Sequence, residues 1–186
     1  MLEVYRAASD LQRRFQERDW RFCLIGGLAL QRWGEPRETI DVDVTLLTGF
    51  GGEESFVREI LTWYEPRVAD PAGFAFENRV LLVQAASGVG IDIALGGMPF
   101  EESAVARATP YEFAPGILLQ TASAEDLIVM KAFASRAKDW VDLEGILIRQ
   151  TGRLDWAYVE AQLQPLAELK EEPEILERLA NMRKDA

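Results

Sequence analysis

Over residues 39–47 polar and apolar positions alternate without a break: Thr39, Asp41, Asp43 and Thr45 fall on one side, Ile40, Val42, Val44 and Leu46 on the other. A period of two predicts a half-buried strand whose polar side carries two carboxylates. Just ahead, residues 21–25 form an apolar run that predicts a buried strand and residues 28–33 a short helix, so Gly26 and Gly27 stand at a strand-to-helix turn. Apolar spacing near 3.6 predicts an amphipathic helix over 3–18, with Val4, Ala7, Ala8, Leu11 and Phe15 on the buried stripe. Further on the pattern predicts a helix over 53–64, an irregular stretch through Pro66, Pro71 and Gly73, and an interior strand over 79–86. A turn at 87–90 leads into an alternating strand over 91–95, with Asp92 on the side away from the core. A short helix over 100–107 and a strand over 117–121 follow. Ser123 and Asp126 then have the spacing of a capping box that opens a helix to about Ala137. A helix carrying Asp139 and Asp142 comes next, and two more over 154–186, with Asp155 as an N-cap and Pro173 in the first turn of the last.

This order predicts an α/β (α+β) fold with a mixed sheet flanked by helices and a helical C-terminal portion. Residues 1–122 are expected to form the core, and 123–186 the helical portion packed on it as one structural unit.

The Asp-x-Asp pair carries the sharpest chemical signal. Residues i and i+2 on one strand face stand roughly 7 Å apart, so two negative charges point into one small volume. Asp is depleted in strands and like charges repel, so a merely solvated face would draw on Lys, Thr or Glu. A divalent cation bridging Asp41 and Asp43 removes the repulsion and suits short, rigid side chains. The glycines at 26 and 27 would let backbone N–H groups face a phosphate without side-chain obstruction, although most glycine pairs simply make turns.

Composition narrows the chemistry further. There is no histidine among the 186 residues, which removes histidine zinc ligands, Ser-His pairs and a histidine general base. Acid–base work is left to carboxylates or a lysine. The formal charge of −11, from 20 Lys and Arg against 31 Asp and Glu, argues against a broad nucleic-acid footprint, while a local cluster of Arg32, Arg37, Arg136 and Lys138 remains open. The single cysteine, Cys23, lies in an apolar run and reads as a small buried hydrophobe. No apolar run approaches the roughly 20 residues of a membrane helix and no signal-peptide pattern opens the chain, so the expectation is a cytoplasmic protein with no membrane partner.

In its helix Lys131 falls among Ala124, Leu127 and Ile128, where a lysine must either snorkel or meet an anion. An anionic triphosphate is one such partner. On that reading, Lys131→Met keeps the stem and should change stability little. Asp139 and Asp142 share a helical face with Arg136 three residues upstream. By spacing they read as a helix cap with its ion pair.

Gly26-Gly27 followed by Arg37-x-Thr39-x-Asp41-x-Asp43 resembles the signature of the polymerase-β-like nucleotidyltransferase superfamily, and within it most resembles the AbiEii-like nucleotidyl transferases, many of them toxins of toxin–antitoxin systems. The chain has Gly26-Gly27 where the superfamily often has Gly-Ser, so a serine contact to phosphate is missing. The resemblance implies a nucleotidyltransferase core in which Asp41, Asp43 and Asp92 hold two Mg²⁺ ions (or Mn²⁺) and, with Lys131, carry catalysis. Gly26, Gly27, Arg37, Thr39, Lys131, Arg136, Asp139 and Asp142 would bind the nucleoside triphosphate. It further implies transfer of a nucleoside monophosphate to a hydroxyl of RNA or protein, with a cognate antitoxin as partner. Two alternatives stand beside it: modification of a small cationic molecule of the aminoglycoside type, and a non-catalytic nucleotide-binding or regulatory module of the same fold. The three retained carboxylates weigh against the latter.

Overall fold

The computed structural model describes residues 1–185. It divides into two compact units: Met1–Leu28 with Glu38–Ala122, and Ala29–Arg37 with the chain from Ser123 onward.

The first unit is built on a seven-stranded mixed sheet. Its strands are β1 (Phe22–Leu24), β2 (Asp41–Leu47), β3 (Glu65–Pro66), β4 (Val80–Gln84), β5 (Gly90–Gly96), β6 (Thr109–Ala114) and β7 (Ile117–Thr121), in the spatial order β3-β4-β5-β2-β1-β7-β6. Neighbours run antiparallel except at β2–β5 and β1–β7, which are parallel. Helix α1 (Leu2–Gln16) buries Val4, Ala7, Ala8, Leu11 and Phe15, the stripe read from the sequence. These residues join Val42, Val44, Leu46, Leu81, Val83, Ile91, Ile93 and Leu95 in the main core. The alternation of β2 and β5 therefore sends one set of residues into this core and leaves Asp41, Asp43 and Asp92 on the opposite face. Farther along that face a smaller apolar cluster of Cys23, Val105 and Ala122, with Leu47 against it, forms beside α5 (Pro99–Arg107). Thr45 is buried there, although its alternation placed it on the polar side.

Local structure departs from the sequence reading at a few points. The central strand starts at Asp41, and Ile40 lies outside it, 78% exposed. Ladder pairing between β2 and β5 begins at Asp41↔Gly90, so no partner strand draws residues 39 and 40 into the sheet. The stretch expected to be irregular contains a helix, α4 (Pro71–Asn78). Asp70 accepts from the Gly73 N–H as its N-cap, Pro71 sits in its first turn, and left-handed Arg79 closes it. Helix α3 (Glu53–Ile60) is shorter than expected, and β6 had no clear alternation to announce it, because its first four residues are all exposed.

The second unit is helical. Helix α2 (Gly26–Trp33) starts in the first unit and ends in this one, which also holds α6 (Ala124–Ala134), α7 (Ala137–Arg149), α8 (Trp156–Lys170) and α9 (Glu174–Asp185). Ser123 caps α6 by accepting from the Asp126 N–H, and Asp155 caps α8 by accepting from the Tyr158 N–H. Pro173 precedes α9 rather than lying within it. Residues 29–37 are held to α7 by a close approach: a Cβ added at Gly145 would meet the Glu35 backbone nitrogen at 3.0 Å. In addition, Gln150 Nε2 donates to the Trp33 carbonyl at 2.8 Å and Arg149 to that of Gly34.

Candidate active site

In the first unit the carboxylate face is assembled by strand register. Asp41 and Asp43 project from β2 at successive outward positions, and the parallel pairing to β5 sets Asp43 directly opposite Asp92 and Asp41 opposite Gly90. Residues so paired lie on the same face of the sheet, with strands about 4.8 Å apart. The Gly26-Gly27 turn meets this face from its side. Gly26 adopts φ +55°, and a Cβ there would collide with the Asp43 carboxylate, so the turn tolerates only glycine. A Cβ at Gly27 would likewise collide with the Thr39 side chain. The Gly27 N–H points at Asp43 Oδ2 at 3.4 Å, and Thr39 Oγ1 donates to Asp41 Oδ1 at 3.1 Å. Thus Gly26, Gly27, Thr39, Asp41 and Asp43 form one neighbourhood, as the motif spacing requires.

The Asp92 carboxyl is raised above its usual value. Burial pushes it up and the charge of Asp41 adds to this; the Arg67 guanidinium pulls in the other direction without cancelling them. Arg67 forms an ion pair with Asp92 Oδ1, both side chains about one third exposed (32% and 34%). Sequence reading had no signal for Arg67, which lies in a stretch without periodicity and reaches Asp92 only through the β3–β4–β5 pairing.

The donor set suits a hard divalent cation: three carboxylates on adjacent strands, all oxygen, with no histidine or second cysteine in the chain to select a softer metal. Among the described residues no three Asp, Glu or Cys side chains converge into a ready-made metal nest. In this structure Asp43 faces the glycine turn, Asp41 takes the Thr39 hydroxyl and Asp92 takes Arg67.

The second unit holds a separate network of charges. Lys131 is 6% exposed and donates to Asp142 Oδ2 at 2.6 Å and to Asp139 Oδ1 at 3.4 Å. Arg37 donates from Nε and Nη2 to the two oxygens of Asp142, both at 3.2 Å. Arg136 forks onto Asp139 in the same way, at 2.6 and 3.2 Å. Asp139 also accepts the Arg136 backbone N–H at 3.3 Å, capping the start of α7. Burial pushes the Asp139 carboxyl up, but the Arg136 hydrogen bonds and the Lys131 charge outweigh it and hold the group below its usual value. For Asp142 burial is likewise outweighed, there by Arg37 and Lys131. Lys131 therefore does not snorkel: the anions it meets are two carboxylates of its own unit.

The family description "Nucleotidyl transferase AbiEii toxin, Type IV TA system" matches residues 9–179. The chain belongs to this AbiEii family. No curated protein matches it. Among solved structures, the fold of this AbiEii-family chain is similar to that of an antigenic nucleotidyltransferase-like protein from Paracoccidioides brasiliensis, at 14% identity and TM-score 0.53, covering 96% of this chain and 92% of that one. It is also similar to the antibiotic-resistance factor ANT(2'')-Ia in complex with adenylyl-2''-tobramycin, at 17% identity and TM-score 0.53, covering 91% and 96%. A third likeness is to the lincosamide antibiotic adenylyltransferase LnuA bound to lincomycin, at 12% identity and TM-score 0.50, covering 73% and 91%. These likenesses identify the mixed sheet with its helices as a nucleotidyltransferase fold.

Proposed function

We propose that this AbiEii-family protein transfers a nucleoside monophosphate from a nucleoside triphosphate to a hydroxyl of a macromolecular acceptor, RNA ahead of protein, with pyrophosphate as the leaving group, and acts as the toxin of a toxin–antitoxin pair. The observation that carries the chemistry is the register that sets Asp92 of β5 beside Asp43 of β2, two residues from Asp41. Asp41, Asp43 and Asp92 would hold Mg²⁺, which supplies charge neutralisation of the triphosphate and acidifies the attacking hydroxyl. The remaining tasks fall to groups of the chain itself. Gly26 and Gly27 bring the turn against Asp43 and Thr39, and Gly27 N–H, which points at Asp43 Oδ2 in this structure, is the donor a phosphate oxygen would take over on that side. Thr39 orients Asp41 through its hydroxyl. Asp92 is the group we assign to accept the acceptor hydroxyl's proton, because the register places it beside Asp43 on the carboxylate face.

In the second unit Arg37, Lys131 and Arg136 pair with the carboxylates Asp139 and Asp142. The net charge of −11 favours a second reading, a small cationic acceptor. Incubation with total RNA, Mg²⁺ and each of the four labelled triphosphates separates the readings. Labelled RNA, with transfer falling steeply as salt rises through counterion release, is the expected result. Unlabelled RNA beside a labelled protein or aminoglycoside would sink the RNA acceptor. The Asp41→Asn/Asp43→Asn double variant should label nothing.

A further inference from the structure

Arg67 follows β3 immediately and continues its pairing with β4: after Glu65↔Gln84 and Pro66↔Val83, the Arg67 N–H donates to the Leu82 carbonyl at 3.0 Å. Leu82 is in register with Asp92, and Asp92 with Asp43. Arg67, Leu82, Asp92 and Asp43 thus form one row across four strands. The Arg67 side chain crosses the row over one intervening strand to reach Asp92.

The second half of the contact comes from Gly90. A Cβ added there would lie 3.1 Å from Arg67 Nη1 and 3.4 Å from Cζ, so the guanidinium lies against the bare backbone of Gly90. Gly90 is the register partner of Asp41. The arginine therefore stands over Gly90, a residue without a side chain to keep it out, beside Asp92 and next to the strand that carries Asp41. Its backbone is pinned by the sheet, while its side chain is one third exposed and can withdraw without unfolding anything.

We propose that Arg67 is a built-in counter-ion that holds Asp92 in the metal-free protein and must release it before a divalent cation takes that carboxylate. A guanidinium and a divalent cation on the same carboxylate would stand a few ångströms apart as like charges, so the two compete for Asp92. Arg67 is thereby a positioning residue. It keeps Asp92 oriented toward the carboxylate face and sets the threshold of cation at which the face closes. The proposal rests on the metal reading given above.

Titration calorimetry with Mn²⁺ alone, on the full chain, tests it in three proteins: the parent, Arg67→Met, and Arg58→Met as a control that removes the same charge from an exposed helix pair with Glu54. Arg67→Met should bind Mn²⁺ about twofold to fivefold more tightly than the parent, the worth of one partly exposed ion pair, and Arg58→Met should match the parent. Equal affinity of Arg67→Met and parent, or equal tightening in both variants, overturns the competition while leaving the metal site standing. If neither the parent nor Arg67→Met binds Mn²⁺, the metal reading falls and the proposal with it. A measurement on the unaltered protein guards against misfolding of the variant. The Arg67 Nε–Hε resonance should move on adding Mg²⁺, and a resonance that stays in place while Mg²⁺ binds also overturns the proposal.

Discussion

A single methyl group at position 26 would strike the carboxylate of Asp43, and the backbone there already has φ +55°. Gly26→Ala therefore combines left-handed strain with a collision, and should cost about 1–3 kcal/mol. A urea denaturation midpoint indistinguishable from the parent's would refute that. The same contact explains why glycine and aspartate must appear together in the motif: each occupies space the other leaves. Asp41 and Asp43, two positions apart on one strand face, repel each other. Asp41→Asn with Asp43→Asn should leave the fold intact, or slightly more stable in metal-free buffer, and should abolish Mg²⁺-dependent triphosphate binding. Retained binding in calorimetry would show that the carboxylate face does not carry the chemistry.

Helices α6 and α7 are joined by charge rather than by apolar packing alone, and this changes what a substitution at Lys131 does. The apolar arc around Lys131 suggests a harmless Lys131→Met. With Asp142 at 2.6 Å and both carboxylates buried, removal of the ammonium leaves negative charge without part of its compensation. We expect Lys131→Met to destabilise by about 3–5 kcal/mol, less in the Lys131→Met/Asp142→Asn double variant than the single effects sum to. Thermal and urea unfolding of the set would decide it. The pH dependence follows from the same network. Asp139 and Asp142 both titrate below their usual value in the folded chain, so the unfolded chain binds more protons as acid is added. Their stabilisation is complete at neutral pH, above the unfolded value of about 3.9, and is lost as pH falls through the lowered folded values. Asp139→Asn should flatten this acid limb in urea midpoints taken between neutral pH and about pH 3.

For the molecule as a whole, 31 acidic against 20 basic side chains give a repulsive surface that salt should screen. The melting temperature should rise between about 10 mM and 150 mM NaCl, where the Debye length shrinks from roughly 30 to 8 Å; a fall would mean that surface ion pairs dominate instead. Much of the architecture was legible in the chain, because period-two and period-3.6 patterns are local consequences of which face is buried. The stripe of α1, the alternation of β2 and β5, and the caps Ser123 and Asp155 all rest on neighbours within a few residues. Even the motif from Gly26 to Asp43 is a short-range signal. Elements whose exposure does not alternate, such as β6, left no such trace, and Ile40 shows that alternation can outrun the ladder that makes a strand.

What the tertiary structure alone decided is pairing. The parallel register of β2 with β5 sets Asp92 opposite Asp43, β3 brings Arg67 across to the same row, and the α6–α7 packing gives Lys131 two carboxylates for partners. Each of these contacts joins residues far apart in sequence or on different elements. A strand or helix pattern states which face is buried, but not which neighbour it meets. The sequence by itself therefore determined the kinds of elements and the chemistry each carries, while the contest of charges on Asp92 and Lys131 was settled only when the chain closed on itself.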